Sequence, residues 1–209
     1  DGHYPDLPRC IELKEHFKAW LMVDESHSFG VMGNAGLGIR DHFGLSGDAV
    51  DIWMGTLSKA LSASGGYIAG CQELVDILRH LAPGFLYSVG IPGQVAAPAL
   101  AALKLMQNEP DRVKRLHEIS AYFLEQVQRI GLDAGYSKGI AVVPVILGSS
   151  LKAVQLSNYL FKQGINIQPI IYPAVPEKSA RLRFFLSSEH TREQIDWVIL
   201  QLSSASDSK

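Results

Sequence analysis

Cysteine is scarce in this 209-residue chain, with Cys10 and Cys71 the two present. Two are too few for a disulfide framework, and no metal-type spacing accompanies them. A reducing, cytoplasmic setting is the simpler expectation. An excess of positive charge is missing too: 19 Lys and Arg stand against 21 Asp and Glu, for a formal net charge of −2. Such a balance offers little to nucleic acid or to an anionic membrane. No apolar run approaches the roughly 18 residues of a membrane-spanning helix. Internal repeats and low-complexity segments are lacking, and no signal peptide is expected. The chain opens Asp1-Gly2-His3-Tyr4-Pro5 without a methionine, so a piece of a longer protein is expected.

What is present is ordinary for a globular protein: 47% hydrophobic and 19% charged residues, enough for one large or two small domains. Residues 11–18 read as the end of a helix. Ala19-Trp-Leu-Met-Val23, ending in Asp24, fits a parallel strand buried on both faces. Six glycines between residues 30 and 47 predict loop with one helical turn. Strands are expected at 51–56 and 67–70, a helix at 72–81, a strand at Gly84–Ser88 and a helix from Pro92 to Met106. Asn108-Glu109-Pro110 marks a boundary between domains at 1–108 and 109–209, because the residue before proline is pushed out of the helical region.

Beyond it, Val113, Leu116, Ile119, Phe123, Val127 and Ile130 recur at helical steps, with Gly131 where the helix stops. Strands follow at 141–147, 166–172 and 182–186, with a helix over 151–163 ending at Gly164. Thr191 and Gln194 open a last helix in capping-box spacing, with Ile195, Val198, Ile199 and Leu202 as its apolar stripe and a frayed tail from Ser203 to Lys209. The first part is thus α/β with mostly parallel strands, and the second a smaller α+β unit.

The rest of the chain is organised around Lys59, in Asp51-Ile-Trp-Met-Gly-Thr-Leu-Ser-Lys-Ala-Leu-Ser-Ala-Ser-Gly-Gly-Tyr-Ile-Ala-Gly70. A lysine between two buried-looking strands is costly. It is either a snorkelling surface residue or a desolvated amine held to form an imine. Upstream, Val23-Asp-Glu-Ser-His-Ser-Phe-Gly30 puts Asp24 at a strand's carboxyl end, where open α/β sheets place ligands. Asp24 and His27 could converge on one ligand, or merely cap and satisfy the turn. Asp-Glu-x-His after a strand also describes a helicase Mg²⁺ box, but the Gly-x-x-x-x-Gly-Lys-Ser/Thr loop that reading needs is missing. A metal trio of Asp24, Glu25 and His27 lacks further clustered ligands. An acid at one strand end and an imine-forming lysine thirty-five residues on is what pyridoxal phosphate requires: one keeps the pyridine nitrogen protonated, the other holds the aldehyde.

Asp24-Glu-Ser-His27, Gly55-Thr-Leu-Ser-Lys59-Ala-Leu and Ser64-Gly-Gly-Tyr67, in this order and spacing, closely resemble the α-oxoamine synthases, fold-type I pyridoxal-phosphate enzymes. The resemblance spans nearly the whole chain. It implies an α/β fold: the later half of a large cofactor-binding domain (1–108), with a mostly parallel sheet, plus a small α+β C-terminal domain (109–209). Asp24 would pair with the pyridine nitrogen, His27 with the ring's phenolic oxygen and Thr56 with the phosphate, while Lys59 would form the Schiff base and move the α-proton. The closing segment Val175-Pro-Glu-Lys-Ser-Ala-Arg181-Leu-Arg183-Phe-Phe-Leu-Ser-Ser-Glu-His190-Thr matches the family's end, where Arg183 would grip the amino-acid carboxylate.

Implied too are a cytoplasmic homodimer and condensation of a small amino acid with an acyl thioester, on coenzyme A or a carrier protein, to an α-amino ketone. Two departures stand out. The family's Ser/Thr-rich turn, which serves the neighbouring subunit's phosphate, reads Tyr87-Ser-Val-Gly-Ile-Pro-Gly93 and leaves Ser88 as its hydroxyl donor. Asp1-Gly2 resembles the family's Asp-Gly shortly after a cofactor-contacting serine, so the preceding half of the cofactor site is expected elsewhere. The alternatives are another fold-type I aminotransferase or lyase, and a non-catalytic remnant or interaction domain.

Overall fold

The computed structural model describes residues 1–206. The chain divides into two compact units, Pro5–Val113 and Asp1–Tyr4 together with the chain from Lys114 onward.

In the Pro5–Val113 unit, Asp6 accepts the Arg9 N–H at 3.1 Å and Pro8 stands in the first turn, so helix α1 (Leu7–Phe17) starts there. Strands β1 (Met22–Asp24), β2 (Ile52–Thr56) and β3 (Gly66–Gly70) form one sheet in the order β1-β2-β3. β1 and β2 are parallel, linked by the glycine-rich segment with the short helix α2 (Ile39–Phe43) and a 3₁₀ turn at Gly47–Ala49. β2 and β3 are antiparallel, which a nine-residue turn (57–65) permits and a parallel pair does not. The sheet here is therefore half parallel rather than mostly so. Leu7, Met32, Ile39, Val50, Trp53 and Leu61 form the core, and the Trp53 indole N–H donates to the Gly47 carbonyl at 2.7 Å.

β1 departs from expectation: it is three residues long, not five, and Met22 and Asp24 are exposed rather than buried on both faces. It lies at the edge of the three strands, and Trp20 before it is 72% exposed. Helix α3 (Gln72–Leu81) is as expected. The strand expected at Gly84–Ser88 is instead a helical turn, α4 (Pro83–Leu86), followed by non-strand residues. Pro83 at its first position fixes φ for a helix start, which outweighs the aromatic residues that favour extension. Helix α5 (Gly93–Asn108) closes the region.

Helix α6 (Asp111–Arg129) leads into the second unit, with Leu116, Ile119, Phe123 and Val127 buried along the expected stripe and Gly131 at φ +75° just beyond it. Strands β4 (Val142–Ile146), β5 (Pro169–Ile170) and β6 (Arg181–Phe185) make an antiparallel sheet in the order β4-β6-β5. Helices α7 (Ser150–Lys162) and α8 (Arg192–Ser206) complete the unit. Its core joins Phe123, Val127, Val143, Val145, Leu160, Leu182, Phe184, Ile195 and Leu202. The capping box is formed: Gln194 N–H donates to Thr191 Oγ1 at 3.3 Å and Thr191 N–H to Gln194 Oε1 at 3.0 Å. The frayed tail expected from Ser203 is helical through Ser206; its remainder, 207–209, lies outside the described residues. Among the described residues no helix is long and apolar enough to cross a membrane.

Candidate functional site

The parallel pairing of β1 with β2 sets Asp24 opposite Met54, so both strands end on the same side of the sheet. The ladder runs one step further, Glu25 N–H donating to Met54 O at 2.7 Å, before the chain turns through residues 26–28. Asp24 Oδ1 accepts the Ser26 N–H at 2.8 Å, an Asx turn. Asp24 thus caps its turn and remains exposed. Hydrogen bonds from the Ser26 hydroxyl and N–H hold the Asp24 carboxyl below the usual carboxylate range. The nearby positive charge of Lys59, and then that of His27, press the same way, while slight burial opposes. An aspartate, a lysine and a histidine from two strand ends therefore share one electrostatic environment, all three exposed.

The lysine turn is built by its own backbone. Leu57 N–H donates to Gly65 O at 2.9 Å, Ala63 N–H to Leu57 O at 2.8 Å and Ser62 N–H to Lys59 O at 3.0 Å. Thr56 Oγ1 lies 2.8 Å from Ser58 Oγ and 3.2 Å from Gly65 O, so Thr56 closes the turn's base. Leu61 anchors the turn in the core. Lys59 stands exposed on the turn rather than between buried strands, so of the two settings the sequence left open the structure shows the surface one. Among the described residues Lys59 makes no ion pair.

Glu25 turns the other way. It is 7% exposed and accepts the Ile39 N–H at 3.0 Å, which ties the glycine-rich loop to the end of β1. Its Oε1 is committed there, and among the described residues no group of three His, Cys, Asp or Glu is placed to hold a metal ion. Burial lifts its carboxyl above the usual range. Tyr67 lies on Gly55, where a Cβ would stand 2.4 Å from the phenol ring, and meets Phe29 edge-on at 6.4 Å between centroids. Ser88 follows α4, exposed, its hydroxyl donating to Phe85 O at 3.1 Å. Three residues on, Ile91 Cδ1 would touch a Cβ at Gly65 at 3.4 Å, so this stretch runs past the lysine turn.

In the second unit, Arg181 and Arg183 both reach the Asp1 carboxylate. Arg181 donates through Nη1, and Arg183 through Nε at 2.9 Å. Arg181 is further spent on the Ser179 carbonyl at 2.7 Å. The Nη groups of Arg183 have no acceptor among the described residues, which singles it out of the two arginines as the one able to take another carboxylate. Sequence reasoning missed Ser26 as a holder of Asp24, Glu25 as a latch and Asp1 as the arginines' partner. The Asp-x-Ser turn spacing was the one available signal.

The model of the aminotransferase class I and II family matches residues 1–202. Among curated proteins, the chain is 44% identical over 199 residues to the 8-amino-7-oxononanoate synthase of Thermosipho melanesiensis, covering 95% of this chain and 50% of that one. It is 39% identical over 196 residues to 8-amino-7-oxononanoate synthase 1 of Bacillus subtilis, covering 94% and 50%. The chain spans about half the length of the curated relatives it matches. Among solved structures, it superposes on a serine palmitoyltransferase of Sphingomonas wittichii with TM-score 0.89 at 25% identity, over 97% of this chain and 51% of that one. For the 8-amino-7-oxononanoate synthase of Francisella tularensis the TM-score is 0.82 at 26% identity, over 95% and 58%.

Proposed function

The chain belongs to the aminotransferase class I and II family, and we propose that it is part of a pyridoxal-phosphate-dependent acyltransferase, an α-oxoamine synthase. In this reading the enzyme joins a small amino acid to an acyl thioester, giving an α-amino ketone. The observation that carries it is the convergence of Lys59 and His27 on an ionised Asp24 at the carboxyl ends of β1 and β2. The donor set fits the cofactor: a carboxylate kept charged, a primary amine with no ion pair among the described residues, and hydroxyls at the base of the turn. When bound, pyridoxal phosphate supplies a ring that draws off negative charge developing at the amino acid's α-carbon.

The chain's own residues have these parts. Asp24, kept ionised, would hold a proton on the cofactor's ring nitrogen. His27 would hydrogen-bond the ring's oxygen, and Thr56 would hold the phosphate. Lys59 would supply the amine that holds the cofactor's aldehyde and the base that takes the α-proton. Arg183 holds the amino-acid carboxylate through its Nη groups. Ser88 serves a neighbouring subunit's phosphate in a homodimer. The exposed apolar residues flanking it, Phe85, Tyr87, Val89 and Ile91, support a protein-covered surface there. Residues 1–108 would be the later half of the large domain and 109–209 the small domain. A cytoplasmic setting goes with this reading, in keeping with the two free cysteines. The breadth of the matched family keeps a second reading in the same class, an aminotransferase or lyase acting on amino acids.

The test is reduction of the full-length protein with borohydride in the presence of pyridoxal phosphate, followed by peptide mapping. A single adduct at Lys59, lost together with turnover in Lys59→Ala, is expected. Normal turnover of Lys59→Ala overturns the proposal. Product formed without any thioester requirement moves the reading to an aminotransferase or lyase.

A further inference from the structure

Asp1 and Arg183 are 182 positions apart in sequence, yet their side chains meet within one unit. The meeting is anchored by backbone. Gly2 adopts φ +71°, and a Cβ there would fall 1.9 Å from the Val142 carbonyl oxygen, so no side chain can stand between the first residues and β4. Lys138 N–H donates to Gly2 O at 2.8 Å on the same stretch. Asp1 is thus presented to β6 by a fixed support.

The arrangement divides labour between two arginines. One carboxylate receives hydrogen bonds from two guanidinium groups, and Asp133 also acts on Arg181 through its charge. Arg181 is the more enclosed, with 12% of its side chain exposed, and spends Nε and Nη1 on Ser179 and Asp1. Arg183 is 29% exposed and spends Nε alone, which leaves both Nη groups as a fork. A guanidinium held at Nε cannot swing about its stem, and its remaining donors keep the parallel geometry that suits a second carboxylate.

We infer that Asp1 is a positioning residue for the amino-acid substrate: by holding Arg183 through Nε it aims the two Nη groups at the substrate carboxylate. The inference rests on the reading of Arg183 given under the proposed function. It differs from a simple competition, in which Asp1 would occupy the arginine and weaken substrate binding.

The two are separated by steady-state kinetics of the full-length protein. Asp1→Ala raises KM for the amino acid about tenfold or more, with smaller change in kcat and none in KM for the thioester, because a misaimed fork costs substrate positioning. Asp1→Asn, which keeps an acceptor for Nε, recovers most of that loss. In arginine-labelled protein, the Nε–H resonance of Arg183 is protected from exchange in the parent and in Asp1→Asn, and unprotected in Asp1→Ala. An unchanged or lowered amino-acid KM in Asp1→Ala, with Arg183→Lys raising it, overturns the role of Asp1 while leaving that of Arg183. An unchanged KM in Arg183→Lys removes the underlying reading instead. If Asp1→Ala does not fold, an unprotected Nε–H in Asp1→Asn overturns the inference and a protected one supports it.

Discussion

Gly30 and Ala60 touch so closely that a Cβ on Gly30 would lie 2.3 Å from the Cβ of Ala60. One ends the turn that carries His27; the other directly follows Lys59. Gly30 also adopts φ +80°, which a side chain resists, and its N–H donates to Gly36 O at 2.7 Å. The absence of a side chain at residue 30 is therefore what lets the lysine turn seat against the Asp24–His27 turn.

Gly30→Ala should separate the two turns. The strained φ and the clash with Ala60 together cost about 1–3 kcal/mol. A urea titration measures the loss, and borohydride trapping at Lys59 should fall with it. An unchanged midpoint with full trapping would show that the seating is irrelevant.

Glu25 links pH to stability. Burial raises its folded-state pKa, against opposing hydrogen bonds from the Ile39 and Arg40 N–H groups and the Ser28 hydroxyl. Between the ordinary carboxylate pKa and that raised value the folded chain binds more protons than the unfolded one. Stability contributed by Glu25 therefore falls as pH rises through the window. Glu25→Gln keeps an oxygen for the Ile39 N–H and removes the titration. Relative to the parent, the variant should gain stability as pH is raised from about 4 toward neutrality. Urea midpoints across that range check it, and a constant difference would refute it.

At the far end of the chain the capping box gives a purely structural expectation. Thr191→Ala removes the acceptor of the Gln194 N–H and should cost about 1 kcal/mol of stability. The loss belongs in the thermal or urea midpoint and should leave trapping at Lys59 untouched.

What could be read from the sequence was what local pattern encodes. The helical stripe from Val113 to Val127, the Thr191–Gln194 cap, and Asp24 and Thr56 at the ends of β1 and β2 all depend on spacing within a few residues. What could not be read depends on distant partners. The Asp1 carboxylate finds Arg181 and Arg183 across the length of the chain, and the Glu25 carboxyl finds Ile39 across a glycine-rich loop without periodicity. Residues 84–88 misled because aromatic content favours a strand while Pro83, just before them, starts a helix. The sequence left Lys59 open between a surface and a desolvated setting for a related reason: the choice depends on β3 turning back antiparallel, so that the turn between β2 and β3 projects from the sheet's end instead of crossing over it.

Ser26 sets the charge of Asp24 and offers the sharpest check on the site. Its hydroxyl and N–H are the leading causes of the depressed Asp24 pKa, ahead of the Lys59 and His27 charges. The hydroxyl also lies 3.7 Å from Met54 Sδ, but a carboxylate is much the stronger acceptor for its single proton. A depressed carboxyl pKa keeps Asp24 ionised above the ordinary carboxylate range and loses that charge only as pH falls through the lowered value. Ser26→Ala removes the hydroxyl and leaves the backbone N–H bond, so the pKa should move part of the way back up. In the full-length protein, the acid limit of the lysine–pyridoxal absorbance band should then shift to higher pH in Ser26→Ala, with the neutral-pH spectrum unchanged. The same limit in both proteins would mean that Asp24 does not govern the cofactor's protonation. Loss of the band at neutral pH would place Ser26 in holding the turn itself.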